Sequence, residues 1–291
     1  HVSTYKLPTV HVLIPNLRKP LLAKREFRRA LCYGIDRKWI VDRVILGGHS
    51  LPGFEPLSGP FPNGTLPNDP IRYGYNSQVA PRPFEPRLAS ILATVAWSSV
   101  ENPPEKAKAK TSTGEPAESA PKKRVDTNIP ELILAHPSDA VARLACQSIQ
   151  VQLAREGIPT KLREFTADEL LSGKLDYDLR YAELAVWEPV SDARLILGPG
   201  SLTADLQSPY LDAALRKLDA ATNWKDVRAC LAELHEITNH ELPVIPLWQT
   251  VNYFAYRTSV RNIGDSPITL YQNVEQWSGN STGNVAQIAP R

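Results

Sequence analysis

Residues 22–48, LAKREFRRALCYGIDRKWIVDRVILGG, constrain the fold more than any other stretch. Phe27, Ala30, Leu31 and Gly34 recur at i, i+3, i+4 and i+7, the spacing of one helical face, while Arg25, Glu26, Arg28 and Arg29 fall on the outer side. This predicts a half-buried cationic helix. Asp36 is placed to cap a second helix, in which Trp39, Ile40, Val44 and Ile45 keep helical spacing up to the Gly47-Gly48 stop.

At 291 residues and 42% hydrophobic content the chain can bury a packed core, as one large domain or two smaller ones. Its 33 basic and 31 acidic residues leave a net charge of +2, so no whole-chain field draws in nucleic acid or an anionic membrane, and nucleic acid is not an expected partner. No apolar run has membrane-spanning length, and no leader pattern is present. The chain begins at His1 and contains no Met, which predicts that it is part of a longer precursor whose N-terminal portion lies outside it. Cys32, Cys146 and Cys230 are odd in number and widely spaced; they read as buried small hydrophobes and form no disulfide or metal pattern.

Residues 8–16 read as an extended strand leading into the helical pair. Residues 51–87 are dense in Pro, Gly and Asn and read as an ordered, aromatic-bearing loop. A helix is expected from Pro86 to Ala96, with Leu88, Ile91, Leu92 and Val95 on one side. Residues 101–126 lack aromatics and have the composition of a solvated linker, although Lys106, Lys108, Lys110 and Lys122-Lys123-Arg124 also fit a patch for an anionic partner. Next come a strand at 131–135, a helix over roughly 138–156 and a strand at 160–165, a βαβ unit with Val141, Leu144, Ala145, Ile149 and Leu153 as the buried stripe and Gly157 as the stop. A short helix over 166–172, a strand through 182–187, helices at 208–221 and 224–241 and a strand ending at Trp248 follow, then a strand-rich tail that becomes rich in Gly, Asn and Ser.

The wording of the helical pair resembles that of the extracellular solute-binding proteins feeding peptide and nickel ABC importers, solute-binding family 5. Arg28, Ala30, Leu31, Ile35, Asp36, Arg37, Ile40, Val41, Val44, Leu46 and Gly47 carry the likeness, with Gly34 where the family usually has Ala. Further motifs follow in the family's order: Gly59-Pro60-Phe61-Pro62; Ala145, Ile149, Gln150, Leu153, Gly157 and Ile158; Tyr177-Asp178-Leu179; and Pro243-Val244-Ile245-Pro246-Leu247. The resemblance runs from about residue 8 to about 277. It implies an α/β, periplasmic-binding-protein-like fold of the two-lobed type II class. This chain would supply the C-terminal lobe over 1–256, with βαβ units and crossing strands near 8–16 and 243–256. Residues 257–291 would return to the other lobe.

The same likeness points to the turn Trp187-Glu188-Pro189-Val190-Ser191-Asp192, where peptide-binding relatives often present an Asp to a peptide's α-ammonium group. Glu188 would carry that role, with Trp187, Asp192, Tyr75 and Phe61 as companions in ligand binding. Each has a second reading: Glu188 and Asp192 as turn carboxylates capping the next helix, Trp187 as a core residue, and Tyr75 and Phe61, with Phe54 and Tyr73, as anchors of the Pro-rich loop. No catalytic constellation is visible, and no cofactor is implied. His235 and His240 stand at i+5, off a shared helical face, so a zinc helix is not expected. The expected function is solute capture by hinge closure for an ABC permease at the periplasmic or extracellular face. A small molecule or oligopeptide is the expected ligand and a monomer the expected state. A ligand-sensing domain of a regulator is the alternative, and an enzyme ranks third.

Overall fold

The computed structural model describes residues 1–4, 8–65, 68–101, 128–173, 175–201, 208–264, 267 and 271–279. The expected linker at 101–126 lies outside the described residues except for Glu101, as does the tail beyond Gly279.

Its strands are β1 (Val2–Thr4), β2 (Thr9–Pro15), β3 (Glu55–Pro56), β4 (Leu132–Pro137), β5 (Thr160–Phe165), β6 (Leu179–Ala185), β7 (Ile245–Thr250), β8 (Tyr253–Ala255), β9 (Val260–Arg261) and β10 (Ser278–Gly279). Its helices are α1 (Pro20–Ala23), α2 (Arg25–Gly34), α3 (Arg37–Trp39), α4 (Pro86–Glu101), α5 (Ala140–Arg155), α6 (Ala167–Leu171), α7 (Pro189–Leu197), α8 (Pro209–Ala220) and α9 (Trp224–Glu241). Six strands form a mixed sheet in the order β3-β7-β2-β6-β4-β5. β4 runs parallel to β5 and β6, whereas β2 is antiparallel to both β6 and β7.

β2 lies in the middle of the sheet, and its apolar run, interrupted by His11, follows from burial on both faces. Leu13 joins the core beneath α2 to α5, while Val10, Val12 and Ile14 join the core beneath α7 to α9. The result is a sheet with helices on both sides. β1 and β8 pair in a second, two-stranded sheet, Val2 opposite Ala255 and Thr4 opposite Tyr253, so the chain segments flanking β2 and β7 leave the main sheet side by side.

The βαβ unit forms as the sequence predicts, and Gly157, at φ +76, closes α5 in a conformation that costs glycine little. Its buried face is turned from the expected one: Val141 and Leu144 are 40% and 50% exposed, and Ala142, Ala145, Cys146, Ile149 and Leu153 face inward. α4 departs in the same way. Ala89, Ala93 and Ala96 are buried against α2, while Ile91 and Val95 stand outside. Small residues let those helices approach closely, and a Cβ at Gly34 would come within 3.4 Å of Ala89 Cβ and 3.2 Å of a Leu153 methyl. β6 spans 179–185 instead of 182–187, because its pairing is set by the seven residues of β2, from Pro15 opposite Leu179 to Thr9 opposite Ala185. Cys32 and Cys146 are buried, but Cys230 is only partly so.

The helical pair differs from its sequence reading at Trp39, which is 48% exposed, and at Arg28. Arg28 is buried, not outward, and it donates to Leu22 O at 2.8 Å, Ala23 O at 2.9 Å and Glu241 O at 2.6 Å. Asp36 caps α3 by accepting from Trp39 N at 2.9 Å. α3 then widens into a π-helical turn over Ile40–Ile45 before Gly47. Arg37, also buried, donates to Leu57 O, Pro246 O and Arg82 O, tying three separate segments to the pair.

Candidate ligand-binding site

β4 and β6 both end on one side of the molecule, where β2 begins, β7 ends and α5 starts. The carboxyl ends of parallel strands are where α/β sheets commonly receive ligands. A cleft of about 430 Å³ opens there, lined by Thr9, His11, Phe54, Asp139, Glu183 and Tyr253 among others. Phe54 and Tyr253 stack on one another, their centroids 6.4 Å apart.

His11 forms the floor of the cleft. Tyr181 Oη lies 2.7 Å from its Nδ1 and Thr250 Oγ1 2.8 Å from its Nε2. Burial lowers its pKa to about 3, so the imidazole is neutral and bridges the two hydroxyls. Burial also pushes the Tyr181 phenol up, which keeps it protonated. Glu183 is 43% exposed and its carboxyl is raised, first by partial burial and second by the neighbouring charge of Asp139. Asp139 caps α5 by accepting from Ala142 N at 2.8 Å. Sequence reasoning passed over His11, Tyr181 and Glu183. The available signal was alternation, since Leu179, Tyr181 and Glu183 occupy one face of β6 and a carboxylate ends an otherwise buried row.

The expected turn lies at the same end of the sheet, two residues beyond β6. Trp187 is 55% exposed, so the core reading of this residue is corrected. Asp192 accepts from Trp187 N at 2.7 Å and Glu188 N at 2.9 Å with one carboxylate oxygen; it closes the turn. Glu188 is exposed and, among the described residues, makes only a long cap contact, with Val190 N at 3.4 Å. Its carboxylate is therefore accessible, whereas one oxygen of Asp192 is already engaged by the turn.

Tyr75 and Phe61 are not brought to this turn as open surfaces. Phe61 is fully buried in the core beneath α7 to α9, which corrects the expectation that it lines a cleft. Tyr75 packs edge-on against His235 at 4.8 Å, and its hydroxyl takes hydrogen bonds from Ser58 N at 3.2 Å and Ser58 Oγ at 2.9 Å. Both aromatics hold the Pro-rich loop against α9, because the loop has few backbone partners of its own. His235 lies at the centre of that anchor, with Ser58 Oγ 2.9 Å from Nε2 and Asn76 N donating to Nδ1, and burial lowers its pKa to about 4.

A sheet clad on both faces by helices, with a cleft at the ends of its parallel strands, makes an α/β lobe with room for a ligand. The model of the bacterial extracellular solute-binding proteins, family 5, matches residues 2–200, and the chain belongs to that family. Solved structures agree on the fold. The oligopeptide-binding protein AppA from Bacillus subtilis, solved in complex with a nonapeptide, has a TM-score of 0.73 at 16% identity over 96% of this chain and 52% of that one. NikZ from Campylobacter jejuni, in complex with Ni(L-His), gives 0.70 at 16% identity, over 96% and 53%. DppA from Helicobacter pylori, in complex with the peptide STSA, gives 0.68 at 16% identity, over 93% and 47%. The chain spans about half the length of these two-lobed proteins. No curated protein sequence matches it.

Proposed function

We propose that this chain is one lobe of the substrate-binding component of an ABC importer, and that it captures an oligopeptide for delivery to a membrane permease at the periplasmic or extracellular face. The observation that carries the proposal is the exposed Glu188 carboxylate, in a turn closed by Asp192 at the same end of the sheet as the cleft, though outside the residues that line it. A carboxylate with accessible oxygens and a fixed backbone suits a peptide's α-ammonium group, and Trp187 beside it offers an open ring for the adjoining side chain. The paired exits of β1 and β8 suit two strands crossing to a second lobe, the arrangement that hinge closure needs. Ligand contacts to both lobes would supply the differential affinity for the closed form. A non-enzymatic, monomeric protein without nucleic-acid partners completes the reading.

The test is thermal-shift screening of the full-length protein against peptide, metal-chelate and sugar libraries, with Glu188→Ala in parallel. A peptide-induced rise of about 4 kcal/mol in apparent stability is expected at a thousandfold excess over Kd. That shift should weaken in the variant. Silence across all three libraries in a folded protein would overturn the transport reading.

A further inference from the structure

The outer face of α2 carries positive charge that ligand capture does not use. Arg25, Arg29 and Tyr33 stand one helical turn apart on it, at i, i+4 and i+8. Arg82, from the loop before α4, stacks its guanidinium over the Tyr33 ring at 5.6 Å and donates to Tyr33 Oη at 3.2 Å. Three guanidiniums thus lie along one strip of surface.

Two of them are engaged at the C-terminal end of α9. Arg25 Nη1 reaches Glu241 Oε1 and His240 Nδ1, both at 3.3 Å, and Arg82 Nη2 reaches Asn239 O at 2.8 Å. Capping the last carbonyls of α9 explains Arg82 and Arg28, and the Glu241 carboxylate explains Arg25. Neither explains Arg29. Arg29 Nε is shielded from solvent without a hydrogen-bond partner, and its guanidinium pairs with no carboxylate among the described residues. Partial burial and then the charges of Arg25 and Arg82 lower its pKa, opposed chiefly by Glu26. A planar fork of unpaired donors, flanked by two more cations, is the arrangement that recognises a tetrahedral oxyanion.

We propose that Arg29, flanked by Arg25 and Arg82, is a binding site for a phosphate-type oxyanion, taken either as the free ion or as a phospholipid headgroup. The anion's oxygens would accept from the Nη groups of Arg29, since its Nε is shielded, and relieve the repulsion among the three guanidiniums. This site lies on the α2 side of the sheet, apart from the Glu188 turn, so its fate does not depend on the importer reading.

The test is calorimetric titration of the full-length protein with inorganic phosphate against chloride at matched ionic strength, repeated for Arg29→Gln and Arg29→Lys. A flotation assay with phosphatidylglycerol and phosphatidylcholine vesicles runs beside it. Saturable phosphate binding, weakened about tenfold in Arg29→Gln and less in Arg29→Lys, is expected. Arg29-dependent flotation on the anionic vesicles without a free-phosphate response would identify the headgroup as the source. If the wild-type protein responds to phosphate no more than to chloride and floats with neither vesicle, the proposal fails. It fails equally if a response survives unchanged in Arg29→Gln.

Discussion

Arg28 and Arg37 in the helical pair expose 1% and 3% of their surface, whereas Trp187, in the turn after β6, exposes 55%, and Glu188 beside it is also open to solvent. The first region spends its charged groups on backbone carbonyls from distant segments: Glu241 for Arg28, and Leu57, Pro246 and Arg82 for Arg37. The second keeps a carboxylate nearly free. A buried guanidinium surrounded by carbonyls fixes where several chains cross, so few substitutions are tolerated there. An exposed carboxylate on a turn leaves the fold almost indifferent to its identity, and that is the property a specificity position needs.

The largest effect that would break this contrast is at Arg37. Arg37→Ala should destabilise by about 3–5 kcal/mol, since it strands carbonyls from three segments in the interior, and Arg37→Lys should recover little because one ammonium cannot serve all three. A urea unfolding midpoint close to wild type in Arg37→Ala would show that the pair is not the tie described here.

Acid should act next. His11 and His235 have folded pKa values of about 3 and about 4, both below the unfolded value near 6.5. Between pH 6.5 and 4 the unfolded chain binds more protons, so the stability from keeping both rings neutral is complete above pH 6.5 and declines as pH falls. The slope should be steepest near pH 5, at about 2.5 kcal/mol per pH unit shared almost equally by the two rings, and should ease toward pH 4 as His235 begins to protonate in the folded state. His235→Gln should halve it, and chemical denaturation across that range measures the change.

What the sequence disclosed divides along the same line. The helical pair was legible because Asp36, Arg37 and the Gly47-Gly48 stop are each required by a local or crossing bond. The βαβ unit was legible from period and length. The buried face of α5 was misread because Val141 and Leu144, the larger residues, are left outside while alanines and Cys146 pack within. Phe61 was misplaced for a related reason: a Pro-rich loop gives no period from which burial can be read. Tyr181 and Glu183 share a face of β6, but His11 lies 170 residues before Tyr181 and meets them only through strand pairing, so no local pattern could bring it to them.

A smaller effect sharpens the contrast within the turn itself. Asp192→Ala should cost about 1–2 kcal/mol, because Trp187 N and Glu188 N lose their shared acceptor, while Asp192→Asn should retain part of it through its amide oxygen.

Glu188→Ala should have the least effect on stability, under about 0.5 kcal/mol, since its 3.4 Å cap to Val190 is long and solvent competes for it. Under the proposed function the neighbouring carboxylates separate by role: Asp192 holds the turn, and Glu188 would meet the ligand. Loss of Asp192 should therefore weaken peptide binding indirectly and together with stability, whereas loss of Glu188 should weaken binding alone. Paired unfolding and binding curves for the two variants decide it, and equal stability losses at both positions would mean that Glu188 is a second turn anchor with no separate part in recognition.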